Sequence, residues 1–217
     1  MPNSPSVSPN PTNKVLSDLK ASILNPALTS HFQCWFNPPS AVIQWTQDRA
    51  KLGLGEGYNN REESISLSCS EAALPGTSLA THTLTNDHMG ITERHAYRRQ
   101  YDTTSSFTFY VDKTYEVLYF FENWIAYIVN EDFTQDLGNS NYFYRVNFPR
   151  QYQTTLHLKK FEKDYAGQVL KYSFLNASPL SINSIPVTYG QSELLKCVVN
   201  FNFSRYVVAG LEYKDES

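Results

Sequence analysis

The chain has 217 residues, enough for one large domain or two small ones to bury a core without disulfides or metals. Its formal net charge is −3 and only 18% of its residues are charged, so no global basic field exists to hold nucleic acid by counterion release. With 15 Tyr, 13 Phe and 3 Trp, the apolar content leans on rings, which favours strands over bundles of Leu and Ala and leaves aromatic surface in need of a partner.

Residues 1–11 hold Pro2, Pro5, Pro9 and Pro11 among Ser and Asn, a composition that reads as a disordered arm over residues 1–13. In residues 14–24, Val15, Leu16, Leu19, Ile23 and Leu24 recur at spacings of three and four, which predicts a short amphipathic helix stopped before Pro26. Residues 31–36 alternate and are ring-rich, a first strand ended by Pro38 and Pro39. Residues 40–63 carry a weak pattern with Gly53, Gly55 and Gly57 and read as a loop or insertion. Residues 64–70 alternate Ile65, Leu67 and Cys69 with serines, predicting a half-buried strand before a Leu74-Pro75-Gly76 turn.

Residues 79–85 and 91–101 are extended polar runs around Gly90 and predict a long hairpin with few core-grade side chains. Phe107, Phe109 and Val111 mark a further strand, and Asp112 and Thr114 stand where a helix would start. Residues 115–129 (YEVLYFFENWIAYIV) are apolar nearly all round. Leu118, Phe121, Ile125 and Ile128 are expected on one side, with Phe120, Trp124 and Tyr127 on another, so the helix is expected to be covered on more than one side. Residues 142–146, 151–161, 169–174, 182–189 and 194–208 complete a run of strands, with a kink at Pro179, and residues 209–217 read as a flexible tail. The fold class expected is mainly β, one domain over residues 14–208.

Signals for chemistry are weak. Cys34, Cys69 and Cys197 are odd in number and far apart, without a Cys-x-x-Cys pair, so neither a disulfide framework nor a zinc ribbon is supported and a reducing compartment fits best. Asp87, His88, Glu93 and His95 could ligate a metal, but a solvated hairpin tip explains them more simply. The glycines of residues 53–57 lack the strand and the Lys-Ser or Lys-Thr of a phosphate cradle, and there is no Gly-x-Ser-x-Gly elbow. Arg94 and Arg98 are expected on one face of their strand, with His95 and Arg99 on the other. Two Asn-x-Ser sequences, at Asn176 and Asn202, match a glycosylation acceptor by chance. No signal peptide or membrane span is expected, no cofactor or metal is implied, and no constellation points to an enzyme.

The strand ending in Cys69 before Leu74-Pro75-Gly76, the hairpin around Gly90, the stretch RQYDTTSSFTFYVD of residues 99–112 and KYSFLNASPLSIN of residues 171–183 together resemble the tail-tube proteins of contractile-tailed bacteriophages. The resemblance covers residues 30–208. It implies a β-sandwich or barrel flanked by one α-helix, with six copies closing into a ring around a shared inner β-barrel and rings stacking into a channel for DNA. It also implies a virion component, assembled in the host cytoplasm, that meets neighbouring tube and baseplate hub proteins and possible sheath and tape-measure contacts. Transferred to this sequence, the inner-barrel and inter-subunit hairpin would include Thr81, Thr83, Thr85, Arg94, Arg98 and Arg99. The helix packing residues would be Leu118, Phe121, Trp124, Ile125 and Ile128. The arm, the helix of residues 14–24 and the 40–63 insertion favour a baseplate-proximal tube initiator over the repeated tube subunit. A β-rich binding or adaptor module is the alternative of another class.

Overall fold

Alternation of apolar and polar residues builds nine antiparallel strands among the residues that the structure, a computed structural model, describes: 27–51, 62–85, 90–129, 146–162, 168–190 and 193–212. The strands are β1 (Phe32–Phe36), β2 (Cys69–Ala72), β3 (Thr77–Leu84), β4 (Glu93–Tyr101), β5 (Thr104–Tyr110), β6 (Thr154–Lys160), β7 (Gln168–Ile182), β8 (Lys196–Asn202) and β9 (Arg205–Glu212). The helices are α1 (Ser40–Lys51), α2 (Glu62–Ser68), α3 (Glu116–Val129) and the single turn α4 (Pro149–Tyr152). The arm, the helix expected over residues 14–24, the glycines of residues 53–57 and nearly all of the strand expected over 142–146 lie outside the described residues.

One long strand organises the sheet. The first part of β7 pairs with β6 on one side and β9 on the other, and its end pairs with β8, giving the path β1-β6-β7-β8-β5-β2 with β9 also on β7. The change comes at Asn176, whose φ of +56° suits an asparagine better than most residues, and the register shifts again between Pro179 and Ser181. Opposite this bend, the strand expected over residues 194–208 breaks at Phe203 and Ser204 into β8 and β9. The Asn176 amide donates to the Ser204 hydroxyl at 3.3 Å, and the Ser204 N–H to the Leu175 carbonyl at 3.0 Å. The path does not close into a barrel within the described chain: β1 and β2 meet at its ends with no ladder between them.

The mainly β class holds, but several local expectations change, among them the flexible tail expected from residue 209, because β9 runs on to Glu212 against β7. Residues 40–51 form a helix, not a loop. The Pro39 carbonyl accepts from Val42 and Ile43 at 2.9 and 3.1 Å, and the Thr46 hydroxyl returns to the Val42 carbonyl at 2.9 Å, so a threonine can serve in the buried stripe. That polar member is why the apolar pattern looked weak. Residues 62–68 are helical where a strand was expected over 64–70; Ile65 is buried but Leu67 is 79% exposed, and three alternating apolar residues do not distinguish a strand from a helical turn. Residues 183–190 form no strand, since β7 ends at Ile182 and Pro186 offers no N–H to a ladder.

The rings meet in the core. Phe121 of α3 packs against Phe36, Phe109 and Phe201 with centroids 6.2, 5.1 and 5.8 Å apart, and Trp124 lies 5.6 Å from Phe36. The buried Trp124 indole N–H donates to the Tyr152 carbonyl at 3.0 Å, which satisfies its one polar group and anchors α4. Of the packing residues expected on α3, Phe121 and Trp124 are fully buried, whereas Leu118, Ile125 and Ile128 are half-buried. The deepest stripe is Val117, Phe120, Phe121 and Trp124, so the burial is centred between the two expected sides. On the flank, Trp45 of α1 meets Tyr127 at 5.8 Å, which makes α1 a second covering helix.

Candidate interface

The hairpin β3–β4 forms a two-stranded sheet of its own, and nearly all its residues are exposed. Its boundaries agree with the expected hairpin to within two residues. Direct pairing runs from Thr77 opposite Tyr101 to Leu84 opposite Glu93, with one slip: Ala80 faces Arg98 and Thr81 faces Ala96. Tyr97 is therefore an extra residue, a β-bulge, and it is 70% exposed.

The bulge re-sorts the charges. Residues directly opposite in an antiparallel pair share a face, so Thr81, Thr83, Arg94 and Arg99 lie together, while Arg98 falls on the other face with His82, His95 and Glu93. This corrects the strict alternation that put Arg94 with Arg98 and His95 with Arg99. Thr85 lies just beyond β3 and is exposed. Glu93 Oε2 and His95 Nε2 are 3.0 Å apart on the second face. Asp87 and His88 lie outside the described residues, and among the described residues no group of three metal-ligating side chains is gathered.

The base of the hairpin is tied to the body by two contacts that the sequence did not single out. The Arg99 guanidinium donates to the Thr77 hydroxyl at 2.9 Å and to the Tyr206 hydroxyl at 3.3 Å, and it lies 4.8 and 5.4 Å from the ring centroids of Tyr101 and Tyr206. The Gly76 N–H donates to Asp102 Oδ2 at 2.7 Å; a Cβ at Gly76 would stand 2.6 Å from that oxygen, so the position takes glycine for space. The only hint in the sequence was that both residues flank strands at breaks, Gly76 in Leu-Pro-Gly and Asp102 after Tyr101. Beyond this anchor the hairpin exposes Leu79, Leu84, Ile91 and Tyr97 between 45% and 70%. An isolated two-stranded hairpin is marginal in water, and its outer backbone edges are open to another chain.

Elsewhere, burial and the nearby Glu122 carboxylate push the Cys197 thiol up to about 11, which suits a packed thiol and not a nucleophile. Among the described residues, no helix is long and apolar enough to cross a membrane.

The profile of the phage tail tube protein family matches residues 27–209. The chain belongs to that family. It is therefore a structural protein of a phage tail tube, a component of the virion, and its family is one of structural proteins and not of enzymes. No curated protein matches the chain. Among solved structures, the tube terminating cap of the anti-feeding prophage is similar at 14% identity, with a TM-score of 0.52 and coverage of 86% of this chain and 93% of that one. A sheath-tube complex of an extracellular contractile injection system, PVC, in the extended state gives 12% identity, a TM-score of 0.51 and coverage of 89% and 97%. The sixfold-symmetrised anti-feeding prophage baseplate gives 7% identity, a TM-score of 0.51 and coverage of 87% and 99%. These likenesses concern the fold of the tail tube protein.

Proposed function

We propose that six copies of this tail tube protein close into a ring of the inner tube of a contractile tail, and that the ring stands near the baseplate as a tube initiator. The observation that carries the ring is the hairpin β3–β4. It stands clear of the parent sheet, held at its base by Arg99 and the Gly76–Asp102 contact, with both outer edges unpaired and apolar side chains in solvent. Pairing those edges with the neighbouring copy builds a shared inner β-barrel and removes an aggregation-prone surface. Thr81, Thr83, Arg94 and Arg99 on one face, Arg98 on the other and Thr85 just beyond β3 supply the inter-subunit contacts.

The ring surrounds a channel for viral DNA. A formal net charge of −3 supports that role, because a wall without excess positive charge lets DNA pass without holding it. Further partners are the next tube ring, the baseplate hub, and sheath and tape-measure proteins, with assembly in the host cytoplasm. The initiator position is favoured by the additional contact elements, α1 among them, and by the arm and helix read in residues 1–24.

The purified chain tests both parts. Sixfold rings by electron microscopy, with a hexamer mass in solution, are expected; a monomer persisting at high concentration overturns the ring. Rings that stop as single discs and nucleate tubes of another subunit support the initiator, whereas spontaneous growth into long tubes assigns the chain as the repeated tube subunit. A monomer stabilised by a small ligand would favour the binding-module reading.

A further inference from the structure

The sheet path that begins at β1 ends at β2, and these two terminal strands meet without pairing. Each carries a cysteine on its core-facing side. Cys34 is the central residue of β1, opposite Leu158, and is 1% exposed. Cys69 opens β2 opposite Phe109, packs against the same core and is half-buried. The Cys69 thiol beside it and burial together hold the Cys34 thiol well above the ordinary thiol range, while Cys69 Sγ itself donates to the Glu71 carbonyl at 3.5 Å. Both thiols are free in the structure, and Cys197 is buried on β8.

We propose that Cys34 and Cys69 are a redox pair, thiols while the chain is in a reducing cytoplasm and a disulfide across the seam between β1 and β2 once the virion protein meets a small-molecule disulfide oxidant outside the cell. Cys69 is the sulfur a reagent reaches first. Its thiolate attacks the S–S bond of the reagent and expels one equivalent of reagent thiol; Cys34 then loses its proton to solvent, attacks the Cys69 sulfur and displaces the second equivalent. Two electrons and two protons leave the protein, and one reagent disulfide becomes two thiols. The raised proton affinity of Cys34 makes the second step the slow one. The bridge pins the two ends of the sheet path at the place where no backbone ladder does.

The test uses the reduced full chain incubated with oxidised glutathione, followed by thiol titration in denaturant, peptide mass mapping and thermal melting. Titratable thiols are expected to fall from three to one per chain, with a peptide pair joining residues 34 and 69. The melting temperature is expected to rise by roughly 10 °C and to return on treatment with dithiothreitol. The oxidised-minus-reduced shift should survive in Cys197→Ser and vanish in Cys34→Ser and Cys69→Ser; the comparison within the unaltered chain stands even where a variant fails to fold. Retention of all three thiols, a glutathione adduct left on Cys69, a bridge between two chains, or a bridge without a rise in melting temperature would each overturn the proposal.

Discussion

Arg99 on the hairpin and Tyr206 on β9 are joined by a hydrogen bond of 3.3 Å and by stacking of the guanidinium 5.4 Å from the ring, although 107 residues separate them. This is the contact through which an otherwise free hairpin takes a fixed angle to the core. Arg99→Ala is expected to lower subunit stability by no more than about 1 kcal/mol, because the guanidinium is exposed on one side. Ring formation should suffer far more. Melting temperature and the hexamer fraction by sedimentation separate the two effects, and parallel losses in both would count against an orienting role. Arg99→Lys should not restore assembly, since an ammonium has no planar surface to lie between Tyr101 and Tyr206.

Gly76 and Asp102 form the second tie. Gly76→Ala drives a methyl to 2.6 Å from the carboxylate oxygen and breaks the 2.7 Å hydrogen bond, at an expected cost of about 1–2 kcal/mol in denaturant unfolding. Asp102→Ala loses the bond but clears the space. The double variant should therefore be little worse than Asp102→Ala alone, and full additivity would show that the two positions do not interact.

Core truncations should rank by the burial along α3. Phe121→Ala is expected to cost about 3–5 kcal/mol, whereas Ile125→Ala, on the half-buried flank, should cost well under half of that. Trp124→Asp places an unpaired charge among Phe36, Phe120 and Phe201 and should yield no folded protein by circular dichroism. Similar midpoints for Phe121→Ala and Ile125→Ala would contradict the observed stripe.

The helix of α3 was legible because its aromatic and aliphatic positions, the seven named from the sequence among them, leave it almost no polar side, but its deepest face was not, since apolar residues fall on both of the sides expected. The hairpin was legible from polar alternation around Gly90. Its faces were not, because the bulge at Tyr97 flips the phase of everything beyond it and Tyr97 carries no sign of being an extra residue. Helix α1 was missed for the opposite reason to α3: its stripe is completed by Thr46, whose polarity is hidden by a bond to its own backbone. Arg99, placed from the sequence on one face of its strand, also clamps the hairpin to the body, a contact that depends on Tyr206 and could not be read locally.

His157 supplies a pH test. Burial lowers its pKa below the usual 6.5, and the Lys171 ammonium adds to this; its Nδ1 sits 2.9 Å from the Ser173 hydroxyl. The unfolded chain then binds more protons than the folded one below about pH 6.5, so stability is fully present above that pH and declines as the pH falls through the lowered folded value. Thermal melts between roughly pH 7.5 and pH 5 should show this decline, and His157→Gln should flatten it. Lys171→Gln should reduce the size of the decline, because it removes the repulsion that helps to lower the folded-state value. An unchanged slope in His157→Gln would assign the decline to other groups.

The strand β7 runs without interruption through the bend at Asn176, hydrogen-bonded first to β6 and β9 and then to β8. A force that pulls the β1 side of the protein away from the β2 side is thus borne along a single covalent backbone, not only by the friction of packed side chains. The bend at Asn176 gives the subunit its shape, and the continuity through it makes the two halves deform as one body.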